Sequence, residues 1–262
     1  MTQRLPNGLS VSECTVVGSK WVAVLVHGGG WISGDKSVMT KLARYMQDHK
    51  VSTVTPEYRL VGIDRTTATT FTVCLAILLT SYISVRRKPI DLVMCFTLLV
   101  ATVLLANSTS SSEPNHCMSD IGVAVQWTRE KFPDCRIILV GHSAGAHLCT
   151  LYTAMNSASV DAVVGISGVY TDRYLMRSLL GSVYNQNLGH QYPIYHITRH
   201  MPPVLLITAK YDLGFRKDAR EYATLLSYAG IDAQHITRST HHLSITSDHQ
   251  VGTDIAMWIS QL

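Results

Sequence analysis

The sequence predicts one three-layer α/β domain with a mostly parallel sheet and helices on both faces, and three observations carry that expectation. Short, uninterrupted, β-branched apolar runs recur along the chain, as buried parallel strands require. Amphipathic segments of helical spacing lie between them, and such alternation implies a sheet covered on both sides. The chain has 262 residues, 47% of them hydrophobic, which suffices for one well-buried core.

Taken in order, the first strand is Trp21–Val26 (WVAVLV), bounded by Gly18 and by the glycines that follow. Segment 37–50 is the first helix, with Val38, Leu42 and Tyr45 on one face. A second strand spans 51–55 (VSTVT). Segment 121–132 is the next helix, its face carrying Ile121, Val125 and Phe132. Strands follow at 136–140 (RIILV), Ala162–Ile166 (AVVGI) and 204–208 (VLLIT). Segment 216–229 closes the series as a helix with Ala219, Tyr222 and Leu226 in register. In sheets of this kind ligands bind beyond the carboxyl ends of the strands, so chemistry is expected in the residues just after each one.

Composition excludes several classes. The net charge of +4 is small, and the longest basic cluster is Arg86-Arg87-Lys88, which gives little electrostatic case for nucleic acid. The six cysteines form no CxxC pair and no Cys/His metal spacing, so neither a zinc site nor a disulfide framework is expected. That usage fits a reducing compartment. No apolar run precedes Trp21, so the h-region of a secretory signal is missing; export is not expected and the expected location is cytoplasmic.

One stretch departs from this plan. Residues 71–85 (FTVCLAILLTSYISV) and 92–107 (LVMCFTLLVATVLLAN) are uncharged and apolar, and Arg86-Arg87-Lys88-Pro89 separates them. Each falls short of the ~20 residues that span a bilayer comfortably.

The chemistry-bearing motifs stand at strand ends. Gly141-His142-Ser143-Ala144-Gly145 directly follows the 136–140 strand and opens a helix. In that context GxSxG is a sharp strand-to-helix turn holding a serine with its Oγ exposed above the sheet. His27-Gly28-Gly29-Gly30-Trp31 follows Trp21–Val26. Acyl transfer builds negative charge on the substrate carbonyl oxygen, where each preorganised backbone N–H is worth on the order of 3 kcal/mol. The donors expected here are Gly29 and Gly30 with Ala144, the residue after the nucleophile. An acid and then a histidine should follow the serine in chain order. Asp212, just beyond the 204–208 strand, is the expected acid. Asp218 is its rival, placed in the first turn of a helix where a carboxylate is ordinarily a solvated face or a dipole partner. His241, His242 and His249 are the candidates for the base, while His27, His142 and His147 belong to the motif scaffolds.

At these residues the sequence resembles the hormone-sensitive-lipase-like branch of the α/β-hydrolases, and within it the kynurenine formamidases and small carboxylesterases. The matching elements are HGGGW at 27–31, PEYRL at 56–60, GHSAG at 141–145, SGVY at 167–170, TAKYD at 208–212 and HLSI at 242–245. SGVY and HLSI look most like the formamidases. The resemblance implies an α/β-hydrolase fold and a Ser-His-Asp triad of Ser143, His242 and Asp212. It also implies an acid-to-base interval close to that between Asp212 and His242, which selects His242 over His241. No metal or organic cofactor is implied.

Two departures from the family pattern stand out. Residues 61–112 interrupt the path from PEYRL to the helix holding Asp120, and this insertion contains the apolar stretches. It reads as a membrane hairpin, a greasy cap or translated intron. The last is favoured, because Val61-Gly62 is necessarily encoded GTN-GGN, compatible with a splice donor, and the serine-rich run 108–112 carries little information. Membrane association follows only if 71–107 is real. The segment 170–201 leaves little room for a lid, so the cap is expected to be minimal or absent. The chain as a whole is then expected to be a single domain, 1–262, that hydrolyses a small-molecule ester or aryl formamide, with N-formylkynurenine as one candidate substrate. A short-chain carboxylesterase and a noncatalytic ligand receptor are the alternatives, and the oligomeric state is left open.

Overall fold

A computed structural model describes residues 1–61, 114–172, 191–212 and 214–262. The chain divides into two compact units, one of Met1–Arg59 with Pro114–Leu262 and one of Leu60–Glu113. Of the second, only Leu60 and Val61 are among the described residues, so the 61–112 insertion and its apolar stretches lie outside them almost entirely. The cap expectation also falls largely on residues not described, 173–190. Among the described residues no helix is long and apolar enough to cross a membrane.

Among the described residues the first unit is built on an eight-stranded sheet. Its strands are β1 (Thr2–Arg4), β2 (Ser10–Cys14), β3 (Trp21–Val26), β4 (Ser52–Pro56), β5 (Arg136–His142), β6 (Ala162–Ile166), β7 (Val204–Tyr211) and β8 (Ala233–His241), in spatial order β1-β2-β4-β3-β5-β6-β7-β8. β1 and β2 pair antiparallel and β2 meets β4 antiparallel. From β4 across to β8 every pairing is parallel. The carboxyl ends of β3, β5, β6, β7 and β8 therefore share one edge of the sheet, which is where the candidate residues lie in sequence.

Among the described residues the α-helices are α1 (Thr40–Asp48), α2 (Pro114–Lys131), α3 (Ala144–Met155), α4 (Phe215–Tyr228) and α5 (His249–Ile259). Side chains alternate along a strand, so β3 sends Trp21, Ala23 and Leu25 to one face of the sheet and Val22, Val24 and Val26 to the other. The first set packs with Leu42, Ala43 and Met46 of α1 and with Val251, Ile255 and Trp258 of α5. On the other side α3 lies over β5 and β6, and α4 over β7 and β8.

The α1 face differs from the expected one. Lys36–Met39 forms a 3-10 turn capped by the Asp35 carboxylate, which accepts from Ser37 N at 2.7 Å. The change of period puts Met39 in the core and leaves Val38 at 43% exposure. Ile121, Val125 and Phe132, and likewise Ala219, Tyr222 and Leu226, are buried as expected.

PEYRL ties the sheet to its helices. The Arg59 guanidinium donates to the buried Asp120 carboxylate of α2 from Nη2 at 2.6 Å and from Nε at 2.9 Å, and Arg59 N adds a further bond at 2.9 Å. Tyr58 stacks on His27 with ring centroids 4.4 Å apart, fastening the end of β4 beneath the glycine loop after β3.

Candidate active site

The serine turn is built by its glycines. Ser143 follows β5 with φ 52° and ψ −116°, a strained conformation for a side-chain-bearing residue, and serves as N-cap of α3. Its N–H donates to Ile166 O at 2.8 Å, and its carbonyl accepts from His147 N at 3.1 Å. A Cβ on Gly141 would stand 2.2 Å from Gly145 O, and one on Gly145 would stand 2.3 Å from Val26 O. Both clashes are with backbone, so the tight crossing of β5, α3 and β3 admits only glycine at these positions.

At the same edge the structure brings Ser143, His242 and Asp212 into one chain of contacts. His242 Nε2 lies 3.0 Å from Ser143 Oγ, and His242 Nδ1 lies 2.7 Å from Asp212 Oδ1. A carboxylate can only accept, so Nδ1 carries the imidazole hydrogen and Nε2 is left bare to accept from the serine hydroxyl. The other carboxylate oxygen, Oδ2, accepts from Ser167 Oγ and from Ala209 N, the latter at 3.2 Å. A register irregularity between β7 and β8 at Ala209 and Tyr211 turns the chain just before Asp212. Phe215 stacks on the His242 ring with centroids 4.6 Å apart. His241, by contrast, is exposed and stacks on Tyr211, and His249 begins α5 at the surface.

The glycine loop is held from below by buried histidines. Gly29, Gly30 and Trp31 all have positive φ, at 127°, 62° and 67°. His27, fully buried, donates from Nδ1 to Gly28 O at 2.7 Å. Its Nε2 lies 3.3 Å from Glu57 Oε2, within ion-pair reach but off the axis of a hydrogen bond. Burial would raise the Glu57 carboxyl, but the facing His27 ring, the Lys36 N–H and the Lys36 ammonium together hold it below the ordinary carboxylate value. The Trp31 indole can only donate, and it meets His147 Nδ1 at 3.2 Å. His147 must then be protonated on Nε2, which donates to Gln191 O. Burial lowers the His147 pKa to about 4, so this link stays neutral. Among the described residues, no hydrogen bond engages the backbone N–H of Gly29, Gly30 or Ala144.

Asp218 is not a solvated first-turn carboxylate, as its position in the sequence suggested. It is 5% exposed and accepts from Tyr170 N at 2.6 Å, from Thr171 N at 3.2 Å and from Thr171 Oγ1. Burial raises its pKa to about 6, against the lowering effect of these donors. It clamps the loop after β6, the loop that presents Ser167 to Asp212. The contributions of Ser167, Phe215 and Asp218 to this site have no local sequence signature beyond the SGVY string, since each rests on a partner more than twenty residues away.

The model of the Alpha/beta hydrolase family matches residues 23–252. Among solved structures, an esterase of the thermophilic Planctomycetes species Thermogutta terrifontis is similar over 99% of this chain and 88% of that one, at 14% identity and a TM-score of 0.65. That esterase has also been solved phosphonylated by sarin and with propionate bound. An arylesterase is similar over 100% of this chain and 82% of its own, at 16% identity and a TM-score of 0.67. Brefeldin A esterase, a bacterial homologue of human hormone-sensitive lipase, is similar over 99% of this chain and 73% of its own, at 12% identity and a TM-score of 0.65. At these identities the likeness is one of fold. No curated protein is similar enough to the chain to count as a relative.

Proposed function

Because the chain belongs to the alpha/beta hydrolase family, we propose that it is a serine hydrolase of the carboxylesterase type, with Ser143 as nucleophile, His242 as general base and Asp212 as the acid that orients it. The observation that carries this reading is the unbroken contact from Asp212 Oδ1 through the His242 ring to Ser143 Oγ, with 2.7 and 3.0 Å at its two junctions. His242 Nε2 takes the hydroxyl proton as Oγ bonds to the substrate carbonyl carbon. The oxyanion so formed is received by the free N–H groups of Gly29, Gly30 and Ala144. Collapse of this intermediate breaks the bond to the leaving group, which takes the proton from Nε2. Water, deprotonated by the same nitrogen, then releases the acyl group from Ser143.

The esterases among the structural neighbours favour an ester substrate with a small acyl group. An aryl formamide such as N-formylkynurenine is the second reading, favoured by the SGVY and HLSI strings at 167–170 and 242–245. The decisive experiment labels the protein with a fluorophosphonate and follows p-nitrophenyl acetate hydrolysis. Ser143→Ala should abolish both while leaving the fold intact, and activity retained in that variant excludes the assignment. The ratio of kcat/KM on short esters to that on an aryl formamide separates the two substrate classes.

A further inference from the structure

The residue that precedes the nucleophile has a polar ring with a single hydrogen-bond partner among the described residues. His142, the last residue of β5, is 3% exposed, and its Nε2 lies 2.9 Å from the backbone carbonyl oxygen of His242. A carbonyl only accepts, so Nε2 carries the hydrogen and Nδ1 is bare. Nδ1 is buried, has no hydrogen-bond partner among the described residues, and faces the glycine loop closely enough that a Cβ on Gly28 would stand 2.9 Å from it. A leucine or methionine at this position would carry no ring nitrogen to leave unsatisfied. The orphan nitrogen is a cost, and the opposite nitrogen makes the hydrogen bond that is set against it.

What it holds is the base. His242 stands on an exposed turn, between the exposed His241 and Leu243 at 83% exposure, so few packed neighbours fix its main chain. We infer that His142 is a positioning residue whose Nε2–H tethers the His242 carbonyl and so fixes the base relative to the nucleophile. Residues 142 and 143 are adjacent, one gripping the main chain of the base and the other presenting its Oγ to the ring of that base. The tether thus closes a short mechanical loop through which the 3.0 Å contact between Ser143 Oγ and His242 Nε2 is set. Burial lowers the His142 pKa to about 4, which keeps the ring neutral and the donor in place at neutral pH. The inference rests on the assignment of Ser143 and His242 as nucleophile and base.

The test compares His142→Leu, which fills the space and removes the donor, with His142→Gln, whose amide N–H can reach the same carbonyl. His142→Leu should lose about tenfold or more in kcat and in the rate of fluorophosphonate labelling, the factor that attends loss of one hydrogen bond, with KM little changed. His142→Gln should recover most of that loss, and thermal melts should show both variants folded. A folded His142→Leu that labels at the wild-type rate, or a His142→Gln no better than it, overturns the tether. Should His142→Leu fail to fold, ¹⁵N NMR of the wild-type imidazoles decides: a His142 ring protonated on Nε2 and bare on Nδ1 supports the tether, and a proton on Nδ1 overturns it. Wild-type protein that neither labels nor hydrolyses any ester or formamide defeats the nucleophile assignment instead, and the NMR result still judges the tether.

Discussion

Gly29→Ala is the sharpest steric test of the glycine loop. Gly29 has φ 127°, and a Cβ built there would lie 1.9 Å from Ser33 O and 2.5 Å from Ser33 C. Both are main-chain atoms, so no side-chain rotation relieves the overlap, and the turn must open by an ångström or more to reach ordinary contact. That turn is closed by bonds to the Gly29 carbonyl from Ser33 N at 3.0 Å, Ser33 Oγ at 2.8 Å and Ile32 N at 3.3 Å. Losing these at about 1 kcal/mol each costs about 3 kcal/mol, and the strain of an alanine at φ 127° adds to it. Activity should fall further, because a displaced oxyanion donor costs roughly 10²–10³ in kcat. Gly30→Ala is the internal comparison: among the described residues a Cβ there meets only Ile32 Cγ1 at 4.0 Å, and φ 62° is tolerated by alanine at about 1–2 kcal/mol. It should lose less of both. The assays are kcat on p-nitrophenyl acetate and the urea midpoint. A folded Gly29→Ala with wild-type kcat refutes the placement of the oxyanion site in this loop.

Two further outcomes follow from the geometry. His242→Ala should lower kcat/KM on p-nitrophenyl acetate by about 10²–10⁴, as removal of a general base does, whereas His241→Ala should stay near the wild-type value; the reverse order would reassign the base. Asp218 has a folded-state pKa raised from 3.8 to about 6, so its protonated form is favoured by folding, and this contribution is full below pH 4 and lost as pH rises through about 6. His142 and His147, lowered from 6.5 to about 4, act in the opposite sense, contributing stability above pH 6.5 that is lost as pH falls towards 4. Asp218→Asn should therefore lose hydrogen bonds at every pH and also lose stability more steeply than wild type on acidification from pH 6 to 4. Urea midpoints across that range check this, and parallel curves for the two proteins would refute it.

The legibility of the fold followed burial. Strands β3, β5, β6 and β7 are apolar on both faces over most of their length, and such runs are visible in composition alone, whereas β4 (STVTP) is buried but shows itself by its β-branched content. β8 is not legible, because among the described residues it pairs with β7 alone, at the sheet edge, and its string AQHITRSTH holds one large aliphatic residue, Ile236. Its identity is set by the register with β7, a property of two segments at once. α5 was legible in principle, since Val251, Ile255, Trp258 and Ile259 have helical spacing and all are buried. The first turn near Lys36 misled for a different reason: one 3-10 turn before α1 shifts the phase of a helical face by enough to exchange Val38 for Met39.

The site divides along the same line. Residues whose role lies in a local backbone constraint could be read directly, which is why the glycines of 28–30 and 141–145 marked the loop and the serine turn. Choosing between His241 and His242 was another matter, because adjacent loop residues differ only in which one turns inward, and that is decided by Asp212 thirty positions away. Asp218 shows the limit most clearly. A carboxylate in the first turn of a helix has an adequate local explanation in the helix dipole, so nothing in the sequence asks for another. Its burial follows from the loop after β6 folding back over α4, where Tyr170 stacks on Tyr222 at 5.1 Å and delivers Tyr170 N and Thr171 N to the carboxylate. That loop also carries Ser167, at φ 49°, to Asp212. The two carboxylates are thus linked through one short segment: Asp218 fixes the loop, and the loop holds Asp212. A residue of this kind is assigned by its partners, and those partners are created only when the fold forms.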